Sequence, residues 1–481
     1  MGFLSPEYSL FLVGLAFLYW FVPHLQTSPV SVANGEFMFY ALIQVQFVWL
    51  LIFSTAINFG LGLAIARSSD RLRGWLLGAG ICLNLSLLLG FKYVPFLANI
   101  LSSTTGWLTA QDFAAWASHN IVAPISISFF SFEMIAYQID IYRGEAPARN
   151  FLSFAVYKTF FAKLLAGPIV RYQEFAPQLT SRSQPLLENL VEGVWLIACG
   201  AAKKAILADN LGQLVELSFA NIDRAGSTDL WLALCAFALQ IYFDFSGYVD
   251  MGRGSALLLG FNLPRNFDFP YFASSISDFW RRWHMTLGSW LRDYLYIPLG
   301  GSRQGITRNC INLLIVMLVA GIWHGANWGF VIWGIWHGVL LVGHRLSALL
   351  TSRFAALTTL WKTLPGQIMA IAITQVLVSI GWLPFRLPNL LDTQFGFQHL
   401  WGKASDPQFA YKIYVEALGL TASQIAILLI AIAIGMFVAY CCDRSRWHLQ
   451  WPIKLFLVPL SLYLVALFSP QRALPFIYFD F

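Results

Sequence analysis

Apolar runs long enough to cross a bilayer recur from one end of this chain to the other, and they restrict what it can fold into. A hydrocarbon core of ~30 Å takes roughly 20 apolar residues to span as a helix. Such runs lie near residues 8–23, 38–66, 74–91, 121–142, 151–170, 190–207, 230–250, 307–325, 327–350, 366–385, 423–442 and 454–469. Charged residues are only 11% of the chain, against about a quarter in ordinary soluble domains. The pattern predicts an all-α polytopic membrane protein with about 10–12 transmembrane helices plus re-entrant or interfacial helices. The first run has no basic segment before it and no small-residue cleavage site, so it is expected to stay as a helix rather than be removed as a signal peptide.

The links between runs are short, polar and marked by Gly or Pro: Arg67 to Arg71, Arg143 to Pro147, and Pro388 to Pro407. None is long enough for a second soluble domain, so residues 1–481 are expected to form a single membrane domain. Arg67, Arg71 and Arg73 follow the second run, while 24–37 carries no Lys or Arg. The positive-inside rule then puts the arginines in the cytoplasm and the 24–37 link outside. A net charge of +6 on so apolar a chain fits basic juxtamembrane loops and no nucleic-acid partner. The six cysteines have no C-x-x-C spacing, so neither a metal site nor a disulfide framework is expected.

Two histidines sit within this apolar sequence, each preceded by tryptophan: Trp283-His284 and Trp323-His324. His324 lies in VMLVAGIWHGANWGFVIWGIWHG, with no charged residue between Arg308 and Arg345. An ionisable ring at membrane depth is costly and marks a functional site by default. Imidazole titrates near neutral pH, which suits a general base. Residues 277–299 differ from the spans. At about 100° per residue, Phe279, Trp280, Trp283, Leu287, Trp290, Leu291 and Tyr294 share one arc, and Asp278, Arg281, Arg282 and Arg292 fall opposite. An amphipathic helix at the interface or lining a funnel is expected there, with His284 at the apolar edge. Glu133, Asp140, Lys158, Lys163, Asp244 and Asp250 are further polar residues in apolar sequence. Asp244 is expected either to line a cavity or to pair with an arginine between helices. A second Trp-His-Gly copy at His337 follows His324 by thirteen residues, which turns it ~220° away on one helix. His337 is therefore expected to pack or line a cavity rather than react.

The stretch SDFWRRWHMTLGSWLRDYLYIPLGGSR followed by AGIWHGANWGFVIWGIWHG closely resembles the membrane-bound O-acyltransferase family, in its alginate O-acetyltransferase branch. Supporting segments are PISISFFSFEMIAYQIDIYRGE (124–145), FAKLLAGPIVRYQEFAPQL (161–179), residues 239–271 and the terminal PFIYFDF. The resemblance is strong over 120–350. It implies a central tunnel across the bilayer with His324 as essential base and His284 as second motif histidine. Trp283, Trp323 and Asp244 are candidate cavity-lining residues. It further implies acetyl-CoA as acyl donor, no permanently bound cofactor or metal, and a bacterial plasma (inner) membrane location. A separate extracytoplasmic acetyltransferase of the SGNH-hydrolase type would complete transfer to an extracellular polysaccharide.

Two other functions compete. A D-alanyl transferase for teichoic acids belongs to the same superfamily, but the Leu295–Gly301 motif ending and the C-terminal extension resemble the alginate type more. A transporter or flippase, with histidines relaying protons, predicts an internal repeat of spans, and none is visible.

Overall fold

The computed structural model describes residues 3–21, 29–180, 187–471 and 473–479. Residues 22–28 include the end of the first expected run and part of the 24–37 link, and the last two residues of PFIYFDF are 480 and 481. These parts lie outside the described residues. Among those described there is no strand, and seven helices are long and apolar enough to cross a membrane: Gly35–Arg67, Asp70–Thr105, Ser227–Leu258, Gly305–His324, Leu364–Arg386, Ala422–Arg444 and Trp451–Phe468. The chain is an all-α polytopic membrane protein.

It gathers into two compact units. The first comprises Met1–Gly200 with Tyr248–Pro264, and the second Ala201–Gly247 with Arg265–Phe481. In the first unit, three helices are tied by buried side-chain amides. Asn84 donates to Asn58 at 2.9 Å, and Gln138 donates to the same oxygen at 2.6 Å. In hydrocarbon such bonds replace the water that would otherwise satisfy these groups.

The run at 151–170 does not cross as one helix. It is helical over Phe151–Thr159 and Phe161–Leu164 and then leaves helical geometry, with residues 161–170 all buried. Irregular backbone at such depth persists only where protein groups satisfy it. Here the Glu133 carboxylate accepts from Val170 N (3.2 Å) and pairs with Lys163 (2.5 Å). Tyr157 donates to Val170 O at 2.9 Å, and Phe161 N donates to Glu36. Lys158 donates to Ser54 Oγ at 2.7 Å. The buried charges Glu133, Lys158 and Lys163 thus hold a bend in the first unit.

In the second unit, helices Gly305–His324 and Trp328–Thr351 pack closely because both present glycine. A Cβ on Gly321 would lie 2.3 Å from Phe330 O, and one on Gly334 would lie 2.5 Å from Met317 O. Small residues at such a seam let two backbones approach, and this brings the end of the first helix, at His324, against the start of the second.

The expected single helix over 277–299 is corrected by the structure. It consists of Ile276–Arg282 and Met285–Leu291, the latter continuing as a wider turn to Tyr296. The break falls at Trp283-His284, where His284 adopts a left-handed backbone (φ 43°). Asn266 stabilises the break from outside the segment. Its carbonyl accepts from Met285 N, and its Oδ1 accepts from Thr286 N and Oγ1, each at 3.0 Å. These are first-turn donors that no residue of the helix itself can satisfy.

Candidate active site

His284, His324, Trp283, Trp323, Asp244 and His337 all lie in the second unit. His284 is 1% exposed, fixed at the break between two short helices. Its ring meets Phe245 (centroids 4.9 Å), Trp323 (6.0 Å) and Tyr478 (6.5 Å). Among the described residues, neither ring nitrogen reaches a hydrogen-bond partner in another residue. Burial pushes the imidazole down to about 3, because a charged ring would lose its hydration without a compensating anion. His284 is accordingly neutral at physiological pH.

His324 is the last residue of its helix, which ends because Gly325 takes up extended backbone. It is 4% exposed and is ringed by Trp323 (5.0 Å), Trp333 (5.1 Å), Phe385 (5.1 Å) and Tyr478 (5.6 Å). Trp323 and Tyr478 therefore touch both histidines.

The other candidates separate. Trp323 stands at the two histidines, whereas Trp283 turns into the aromatic core, stacked on Phe279 (5.7 Å) and close to Trp382 (4.9 Å). Asp244 is buried in an ion pair with Lys204 (2.9 Å), which also binds Asp209 (2.7 Å). The partner is a lysine rather than the arginine considered from sequence. The same Asp244 carboxylate accepts from Ile477 N at 2.8 Å. It thereby anchors the C-terminal segment that carries Tyr478. His337 is fully buried between Trp280 and Trp333, each at 5.0 Å, and packs on Gly381.

A cavity of about 390 Å³ reaches this region. Its buried end includes His284 and Trp333, and its exposed side carries Arg281 and Arg292. The indole N–H groups of Trp280 and Trp333, both in its lining, have no acceptor among the described residues. His324 does not line the cavity; Trp333 stands in contact with both. A ligand entering here would meet apolar walls, two indole donors, a neutral imidazole and two guanidinium groups.

Tyr478, Trp333 and Phe245 were not singled out from the sequence. Tyr478 belongs to PFIYFDF, which carried part of the family resemblance but held no residue of obvious chemistry for a buried site.

Comparison with known proteins decides the family. Residues 80–380 match the model of the MBOAT, membrane-bound O-acyltransferase, family. The chain belongs to the membrane-bound O-acyltransferases. It is similar to a probable alginate O-acetylase AlgI of Pseudomonas syringae pv. tomato, at 36% identity over 83% of this chain and 74% of the relative. It is also similar to a peptidoglycan O-acetyltransferase of Helicobacter pylori, at 35% identity over 74% and 70%. A teichoic acid D-alanyltransferase of Bacillus subtilis is more distant, at 25% identity over 56% and 69%. As a membrane-bound O-acyltransferase, the chain is a multi-pass membrane enzyme that depends on an activated acyl donor.

Proposed function

We propose that this protein is an O-acetyltransferase of a bacterial inner membrane that takes acetyl from acetyl-CoA for O-acetylation of an extracellular polysaccharide of the alginate type. The higher identity and coverage of the alginate O-acetylases support this reading over D-alanyl transfer. The observation that carries the site is the convergence of His284 and His324 on Trp323 and Tyr478.

His324 acts as general base. It takes the proton of the acceptor hydroxyl as the oxygen attacks the thioester carbonyl; the new C–O bond forms, the C–S bond breaks, and the thiolate leaves and is protonated. His284, neutral and buried, orients the acceptor or polarises the carbonyl. The cavity beside His284 suits the acyl arm of the donor. Its indole N–H groups are placed for carbonyl acceptors, and Arg281 and Arg292 offer phosphate-binding charge at the exposed side. The whole chain serves as one membrane domain, and an extracytoplasmic partner of the SGNH-hydrolase type carries acetyl onward to the glycan.

The test is complementation of a deletion strain with wild type or His324→Ala, reading polysaccharide ester acetyl and membrane protein level together. Loss of acetyl with normal protein supports the reading. Near-normal acetyl with stable His324→Ala protein overturns the assignment of the base.

A further inference from the structure

The second unit has a larger cavity that the chemistry does not use. It is a groove of about 500 Å³ with almost wholly apolar walls. One wall runs from Thr228 to Leu239 on Ser227–Leu258, and another from Ala426 to Met436 on Ala422–Arg444. Gln375 and Ser379 of Leu364–Arg386 form a third. All three helices are candidate membrane spans, so the groove opens at hydrocarbon depth.

Its length and position narrow what can fill it. Thr228 to Leu239 covers eleven helical rises and Ala426 to Met436 ten, which is about 15–17 Å at 1.5 Å per residue. That is half of a ~30 Å hydrocarbon core, or one leaflet. A transmembrane helix from a partner would need a groove about twice as long. Both walls begin within a few residues of their helix N-termini. At that end Trp231 meets Trp401 edge-on at 5.4 Å, and Trp401 is 65% exposed. Exposed indole beside a span end is the signature of the headgroup level. The other end is closed by Phe272, stacked on Tyr440 at 5.0 Å, and by Tyr271, whose hydroxyl donates to Ala238 O. Tyr271 in turn lies 6.1 Å from Trp283, the neighbour of His284. The groove thus starts near the N-terminal ends of both spans, runs about 15–17 Å along them, and ends one aromatic layer from the candidate site.

We propose that this groove holds one acyl chain of a phospholipid from the adjoining leaflet, with its headgroup at the Trp231–Trp401 end. A void of this size left empty would forfeit the dispersion contacts of its whole lining. An extended acyl chain fits the depth, the apolar walls and the lateral opening together. The bound chain backs the Tyr271–Trp283 wall.

Native mass spectrometry of the full chain, purified in mild detergent and titrated with palmitoyl-oleoyl phosphatidylglycerol, tests the proposal. Wild type should retain one tightly held phospholipid. Ala433→Trp, which fills the groove, should lower that occupancy at least fivefold, while Ala431→Trp on the same helix outside the lining leaves it within twofold. Equal retention in both variants overturns the proposal. For a readout that needs no substitution, phosphatidylglycerol with a diazirine in one acyl chain should label residues 228–239 and 426–436 several-fold above the outward helix Trp451–Phe468. Uniform labelling overturns it. A stoichiometric single-span protein that co-purifies and is lost on Ala433→Trp would also overturn it, in favour of a partner helix.

Discussion

His284 and His324, forty residues apart in the chain, share two ring neighbours: Trp323, at 6.0 and 5.0 Å, and Tyr478, at 6.5 and 5.6 Å. One histidine ends a long helix and the other sits at a break between two short ones. Neither helix alone would place its ring there, and the shared neighbours make the pair one site whose members can be tested separately.

His324→Ala is expected to reduce acetyl transfer by about 10²–10⁴-fold, the usual contribution of a positioned general base. The protein should still accumulate in the membrane, because His324 ends its helix and Gly325 supplies the turn. Ester acetyl per unit of immunodetected protein is the measurement. A loss of less than tenfold would remove His324 from the role of base.

His284→Ala should be impaired nearly as severely, and His337→Ala should keep activity within about tenfold of wild type. His337 lies in a packed cluster with Trp280 and Trp333, so its removal leaves a hole worth about 1–3 kcal/mol and should show as a lowered Tm in detergent. Equal activity losses at equal expression would place the second Trp-His-Gly copy in the site as well.

Asp244→Ala should detach the C-terminal segment, since it removes the acceptor of Ile477 N and one of two carboxylates on Lys204. A cost of about 3 kcal/mol follows from breaking a buried pair. Hydrogen exchange over 473–479 should rise and acetyl transfer should fall, whereas Asp244→Asn, which keeps an oxygen for Ile477 N, should be milder on both readouts. Unchanged exchange in Asp244→Ala would show that Tyr478 is held by other contacts.

Glu133→Ala should destabilise the first unit by about 3–5 kcal/mol, because it leaves Lys163 as an uncompensated buried charge and frees Val170 N. The observable is a lowered Tm with reduced membrane accumulation. Glu133→Ala with Lys163→Met should recover part of the loss, as the two changes share one interaction. A double variant no more stable than Glu133→Ala would mean that the backbone bond to Val170, rather than the charge, is what Glu133 supplies.

The purified chain, given acetyl-CoA and soluble polysaccharide but no partner, should transfer little acetyl to the glycan. Acetyl-CoA hydrolysis should persist at a low rate and disappear in His324→Ala, since water can take the place of the missing acceptor at an activated base. Glycan acetylation at the rate of the complete system would refute the need for a partner.

The membrane class and the two histidines were legible in the sequence for the same reason. Apolar runs and an ionisable ring inside one are strong one-dimensional signals, since hydrocarbon penalises polarity wherever it lies. The helical plot of 277–299 grouped the right aromatic residues but missed the break at His284. Periodicity counts positions, and the break depends on Asn266, eighteen residues upstream. The plot for His337 assumed one helix through Gly325, whereas His324 and His337 lie on two helices and share Trp333 as a ring neighbour, a residue that gave no signal among so many tryptophans.

The sequence by itself determined that this chain lives in a bilayer, that its backbone must be helical there, and that imidazole rings sit within its apolar sequence. Only the tertiary structure decided which groups meet. The Gly321–Gly334 seam sets the end of one helix against the start of the next, Asn266 turns His284 inward, and the Asp244–Lys204 pair draws Tyr478 to both histidines. These are contacts between residues far apart in the chain. They depend on close packing and on satisfying each buried polar group, and neither condition is local enough to leave a pattern in the order of the amino acids.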